Sequence, residues 1–177
     1  MAFDWNRRFS HLAVGLLLVG LAGCAPMVIE SNPDTFEVPS TAASKLRGQQ
    51  SIVLNNAYKV ETQVTILLGV PDWVADLKQY TDTAITLLGG AMTKAGVTVG
   101  PATKSVTLRV HSVQAGRGPF TIRSALVLEA EYGDGTKSLI NAQNNSPANA
   151  WRAIDGAIMR AVSQLLTDER FVAFVNK

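Results

Sequence analysis

Val106-Thr107-Leu108-Arg109-Val110-His111 alternates apolar and polar residues at every step. The run from Phe120 to Tyr132 follows the same rule, with Phe120, Ile122, Leu126, Leu128 and Tyr132 on one parity and Thr121, Arg123, Glu129 and Glu131 on the other. A period of two marks strands with one buried and one solvated face. Gly116-Arg117-Gly118 and Gly133-Asp134-Gly135 interrupt the runs and read as hairpin connections. A third strand is expected over about Thr136 to Gln143, completing an antiparallel meander with one apolar face.

Working outward, the period on either side changes to that of a helix. Trp73, Leu77, Tyr80, Ala84, Leu87, Leu88, Ala91 and Ala95 recur at three- and four-residue spacing, which places them on one helical face. Pro71 or Asp72 is the expected start and Gly96 the expected stop. Gly89-Gly90 inside this helix is destabilising, so close packing or a kink is expected there. After the meander, Ser146-Pro147 reads as an N-cap and first helical residue. Trp151, Ile154, Ile158, Ala161, Val162 and Leu165 form the next stripe. Thr167 or Asp168 then caps a short last helix carrying Phe171, Phe174 and Val175. Upstream, Ile52-Val53-Leu54 and Val60 to Leu68 are strand-like, forming either a hairpin around Asn55-Asn56 or one bent strand. Striped helices and a one-faced sheet bury their apolar sides by stacking. The expected fold is therefore α+β, a two-layer sandwich of an antiparallel sheet in β-α-β-β-β-α order with two main helices on one face.

The N-terminus has a different character. Arg7 and Arg8 precede an uncharged stretch from Leu12 to Gly20, and Leu21-Ala22-Gly23-Cys24 follows. Basic, apolar, then small residues is the layout of a secretory signal peptide. The apolar run of about ten residues is too short to span a bilayer, which takes roughly 20. With Cys24 the stretch resembles the lipobox of bacterial lipoproteins, in which a lipid is attached to the cysteine and the chain is cleaved just before it. The expected divisions are a signal peptide over 1–23, an acylated N-terminus and flexible tether over 24–50, and one domain over 51–177. Pro26, Pro33 and Pro39 among serines and asparagines support the tether, although Phe36-Glu37-Val38 also fits an edge strand.

The full chain carries 16 basic and 14 acidic residues. Removing Asp4, Arg7 and Arg8 leaves 14 against 13, a net charge of +1. That balance gives no electrostatic footprint for nucleic acid. Beyond His11 in the leader the only histidine is His111, and Cys24 is the only cysteine, so a metal site lacks ligands and no cofactor is expected beyond the lipid on Cys24. Glu129 and Glu131 point to one strand face, an arrangement that serves either glycoside hydrolysis or an ordinary solvated sheet. Gly-x-Ser-x-Gly and a phosphate-binding lysine loop are both absent. The expectation is a protein that is not an enzyme. Trp73 and Trp151 near the helix starts, with Phe171 and Phe174 at the chain end, are either core residues or the rim of a binding site.

Three stretches together resemble the YajG-type family of bacterial lipoproteins. They are Met92-Thr93-Lys94-Ala95-Gly96-Val97-Thr98-Val99-Gly100, Leu108-Arg109-Val110-His111-Ser112-Val113, and the chain end Asp168-Glu169-Arg170-Phe171-Val172-Ala173-Phe174-Val175-Asn176-Lys177. The resemblance implies a lipoprotein of the outer membrane facing the periplasm, and it carries over no catalytic residues. The residue after Cys24 is Ala25, not the aspartate that retains such proteins at the inner membrane, which implies the same location. The expected role is a binding or accessory subunit of an envelope assembly, held on the membrane through Cys24 and engaging an envelope protein or a second copy of itself. The alternative is a lipid-transport accessory domain holding an acyl chain between helices and sheet.

Overall fold

The alternating runs form the centre of the molecule. The structure, a computed structural model, describes residues 25–67, 71–147 and 149–177. Three long strands, β5 (Lys104–Arg117), β6 (Ile122–Tyr132) and β7 (Lys137–Ser146), pair antiparallel as a meander. Val106, Leu108, Val110, Leu126, Leu128, Ala130, Tyr132, Ile140 and Ala142 are buried along one face. A bulge at His111 shifts the register, so that Val110 faces Leu128 while Ser112 faces Val127. Beyond it Val113, not Ser112, is buried, because an extra residue exchanges the two faces of the strand. Two side chains satisfy the backbone there. Thr81 Oγ1 accepts from the Val110 amide at 3.0 Å, and the Tyr58 hydroxyl donates to the Val110 carbonyl at 2.9 Å.

Several expectations are corrected. Phe120 does not extend the apolar row of β6. It lies in the β5–β6 turn, closed by Gly118 N–H donating to the Thr121 carbonyl, and is 89 % exposed. The last meander strand reaches Ser146, paired with Ile122, so Ser146 is a ladder residue and the following helix is capped by Asn149. Ile52-Val53-Leu54 belongs to β2 (Ile52–Asn56), which is parallel to β5 at the sheet edge. The four-stranded sheet is thus mixed, in the order β2-β5-β6-β7, and not purely antiparallel. Neither a hairpin nor a bent strand joins β2 to β3 (Gln63–Leu67), which lies in a second sheet. A parallel pair needs a long crossover, and here it contains β3, β4 (Trp73–Asp76) and a helix. Trp73 therefore sits on a strand. The helix starts at Leu77, where the Asp76 carboxylate accepts from the Lys78 amide at 3.0 Å.

That helix, α1 (Leu77–Lys94), ends as expected, with Gly96 in the left-handed region at φ 85°. The second long helix, α2 (Ala150–Thr167), and short α3 (Glu169–Asn176) complete the chain. α1 packs on β5 and β2, and α2 on β6 and β7. Leu77, Tyr80, Ala84, Leu88 and Met92 from α1, and Ile154, Ile158, Val162 and Leu165 from α2, are buried with the apolar sheet face in one core.

The largest correction concerns 25–50, expected as a flexible tether. β1 (Met27–Val28) pairs parallel with β4, making a three-stranded sheet in the order β1-β4-β3. Turns of 3-10 helix at Pro33–Thr35 and Ser40–Ala43 then carry the chain across both long helices. Ile29, Val38, Ala42, Ala43 and Leu46 are buried beneath this strap. At its far end Arg47 N–H donates to Asn176 Oδ1, and Asn176 Nδ2 donates to the Lys45 carbonyl. Proline and serine in this segment fix turns against the helices, and the apolar residues spaced between them do the packing.

Candidate functional site

Cys24, the expected lipid site, lies outside the described residues. The chain enters the fold immediately after it. Met27 N–H donates to the Asp72 carbonyl and Ile29 N–H to the Val74 carbonyl, both at 2.8 Å. Cys24 and Met27 are three peptide units apart, so the fold begins within roughly 10 Å of the cysteine.

The four aromatic candidates separate. Trp73 is buried on β4, with the Arg117 guanidinium 4.6 Å above its ring. Phe171 is fully buried, and Phe174 stacks on Tyr132 at 5.0 Å with the Lys104 ammonium 5.6 Å from its ring. Burial of Tyr132 pushes its phenol up to about 12. These three aromatics are buried in the core, and Phe174 also lines an open pocket with Asp134, Thr136, Arg170, Ala173 and Lys177. Trp151, in the first turn of α2, remains 39 % exposed.

Sequence reasoning passed over the most buried acidic group. Asp155, on α2 between Ile154 and Gly156, accepts a 2.7 Å hydrogen bond from Ser31 Oγ and a longer one from the Asn32 amide. Burial pushes its carboxyl above the usual aspartate range, against the lowering effect of bonds from Ser31, Asn32 and Thr35. Tyr80 donates to the Ile29 carbonyl at 2.6 Å, and its phenol is raised far above its ordinary value by burial. Gln79 Oε1 accepts from the Ser31 amide at 3.3 Å. Together these groups latch the strap to both helices. The available signal was a single carboxylate within an apolar helical stripe, which calls for a buried partner.

Between the strap and α1 runs an open groove of about 460 Å³, lined by Phe36, Glu37, Leu87, Gly90 and Lys94 among others. An ion pair between Lys94 and Glu37 crosses it and holds Glu37 below the usual carboxylate range. The two glycines are not explained by tight packing. A Cβ on Gly89 would meet Leu54 Cδ1 at an ordinary 3.6 Å, and one on Gly90 would meet nothing within 4 Å.

Glu129 and Glu131 stand on the polar sheet face as expected, and Lys137 contacts both, at 3.3 and 2.8 Å. Its hydrogen bond lowers the Glu131 carboxyl below its ordinary value. His111 is exposed at the bulge. Among the described residues, no group of three or more His, Cys, Asp or Glu side chains is placed to hold a metal. Nor is any helix among them long and apolar enough to cross a membrane.

Strand directions bring distant segments to one end of the molecule. β5 rises to Arg117, and β6 descends from Ile122. β7 rises to Ser146 beside Ile122, and α2 begins just beyond it. The contact of Arg117 with Trp73 brings the start of β4 to the same end, and Met27 pairs with Trp73.

No protein-family model matches the chain, and no curated protein matches it, so the YajG-type resemblance gains no support from either comparison. Among solved structures it is similar to protein XCC0632 from Xanthomonas campestris, of family DUF330. Identity is 16 % and the TM-score 0.48, over 85 % of this chain and 93 % of that one. It is also similar to a minor lipoprotein from Acinetobacter baumannii, at 15 % identity and a TM-score of 0.35, over 66 % of this chain and 92 % of that one.

Proposed function

We propose that this chain is a lipid-anchored envelope protein, acylated at Cys24 and placed at the periplasmic face of the outer membrane. Its folded domain acts without catalysis as a binding or accessory subunit. The observation that carries this reading is Leu21-Ala22-Gly23-Cys24 behind a basic pair and a short apolar run, with the fold starting directly after it at Met27. The non-catalytic reading is supported by Glu129 and Glu131, the paired carboxylates, both engaged by Lys137 on an open sheet. A groove crossed by a Lys94–Glu37 ion pair favours a protein partner over a stored acyl chain.

Expression of Cys24→Ser in a Gram-negative host given labelled fatty acid tests the anchor. The variant should incorporate no label and accumulate as an uncleaved precursor; normal labelling or processing would overturn the proposal. Cross-linking of the acylated wild type in its own envelope tests the accessory role. A stoichiometric partner is expected, and its absence counts against an accessory subunit.

A further inference from the structure

The end of the molecule where the chain leaves Cys24 also concentrates exposed apolar side chains. Of six large hydrophobic residues exposed among the described ones, four lie there: Met27, Val28, Phe120 and Trp151. Their elements are brought together by pairing alone, through Met27 with Trp73, Trp73 with Arg117, and Ile122 with Ser146 ahead of α2. Phe120 stands at the tip of the β5–β6 turn and is 89 % exposed, with none of the described residues covering it. Arg117 and Arg123 are exposed on either side of it in the chain and Arg152 is exposed next to Trp151, while Asp72 just before β4 and the exposed Glu30 just after β1 put acidic groups toward the same end. The opposite end, at the β6–β7 turn and α3, carries charges of both signs, with Asp134, Glu169, Arg170 and Lys177 exposed, and Leu139 near the start of β7 is the exposed large hydrophobic residue on that side.

We propose that this end is a membrane-seating face that lies on the phospholipid bilayer, with Phe120 and Trp151 at the headgroup boundary and the three arginines against lipid phosphates. The inference rests on the acylation of Cys24 proposed above. The occupant follows from where the chain goes. An acyl anchor held within roughly 10 Å of Met27 presses this end, and no other, against the lipid that holds it. Aromatic rings favour the membrane interface, and arginine side chains beside a membrane are attracted to anionic headgroups. A lipid on Cys24 fixes only one point of the chain, so a second contact at the same end is what sets the orientation of the domain.

Once Cys24 is acylated the mature chain has no free thiol, so one introduced cysteine takes a spin label at a single site. Acylated Phe120→Cys and, as the far-end control, Asp134→Cys would be purified, their lipid confirmed by mass, and reconstituted into phosphatidylethanolamine–phosphatidylglycerol vesicles. The label at 120 should lose relaxation by a water-soluble nickel complex and gain relaxation by oxygen, while the label at 134 keeps full nickel access. A label at 120 as open to nickel as that at 134, on protein that floats with the vesicles, overturns the seating face and leaves the anchor intact. A label at 120 shielded from both reagents indicates burial between copies and overturns it equally. Protein that lacks the acyl mass and does not float removes the anchor, and the seating face with it.

Discussion

Asp155 shows how much of this fold rests on single groups. Its carboxylate holds the Ser31 hydroxyl at 2.7 Å across a separation of 124 residues. Asp155→Ala leaves that hydroxyl and the Asn32 amide without their acceptor, at an expected cost of about 1–3 kcal/mol read from urea unfolding. The pH dependence has a definite sign. Burial raises this carboxyl in the folded state, so the folded protein holds the proton more tightly than the unfolded chain. Its charge therefore costs stability at neutral pH, and the cost is relieved as pH falls through the raised value toward the ordinary aspartate value. The gap between wild type and Asp155→Ala should widen over that interval of falling pH; a gap that narrows would show that hydrogen bonding outweighs burial at this site. The sequence marks this residue only as a lone carboxylate in an apolar stripe and does not name its partner, which lies far away in a stretch rich in proline and serine.

Among the elements, α1 contains the clearest oddity, two adjacent glycines in its last turns. Gly90 has open space where a Cβ would sit, so Gly90→Ala should stabilise the protein by about 0.5–1 kcal/mol through backbone entropy alone. Thermal unfolding checks this, and a lower melting temperature would mean that Gly90 serves a partner conformation absent from the isolated fold. Period-two and period-3.6 patterns made β5, β6 and most of α1 and α2 legible, since one buried face imposes that spacing. They failed where a face is not simple. Trp73 fits the helical spacing of Leu77 and Tyr80, yet it lies on β4, because Asp76 caps the helix and β1 and β3 flank the strand on both sides. α2 is buried continuously from Ala153 to Ile158, covered by the sheet on one side and by the strap on the other. A helix apolar nearly all round calls for two covers, and only the sheet was anticipated.

At the scale of the whole molecule, the strap is part of the domain. Deleting residues 25–46 uncovers α2 and removes Ile29, Val38 and Leu46 from the core. At about 1.5–3 kcal/mol for each buried side chain, that loss rivals the 5–15 kcal/mol that typically separates folded from unfolded chains. Such a truncation should show no cooperative urea transition; an unchanged midpoint would return the segment to the role of tether. The parallel β2–β5 pair and the strap both join residues far apart in sequence, and neither leaves a local pattern. Of the proposed sites, Cys24 was legible from residue order alone and Trp151 as an aromatic near a helix start, whereas the placing of Phe120 at the same end as Trp151 emerges only once the strands are paired.

The two backbone bonds that seat β1 also fix how the domain bears force. The chain enters β1 at one end of the molecule, while α3 closes the other, so tension between the anchor and anything grasping α3 runs along the strands. Met27 N–H to Asp72 and Ile29 N–H to Val74 are then loaded together in shear. Behind them stand the Tyr80 and Asp155 latches. With Cys24 acylated as proposed, rupture at β1 would lengthen the link between lipid and domain, turning a rigid mount into a spring whose next stop is the buried Ile29.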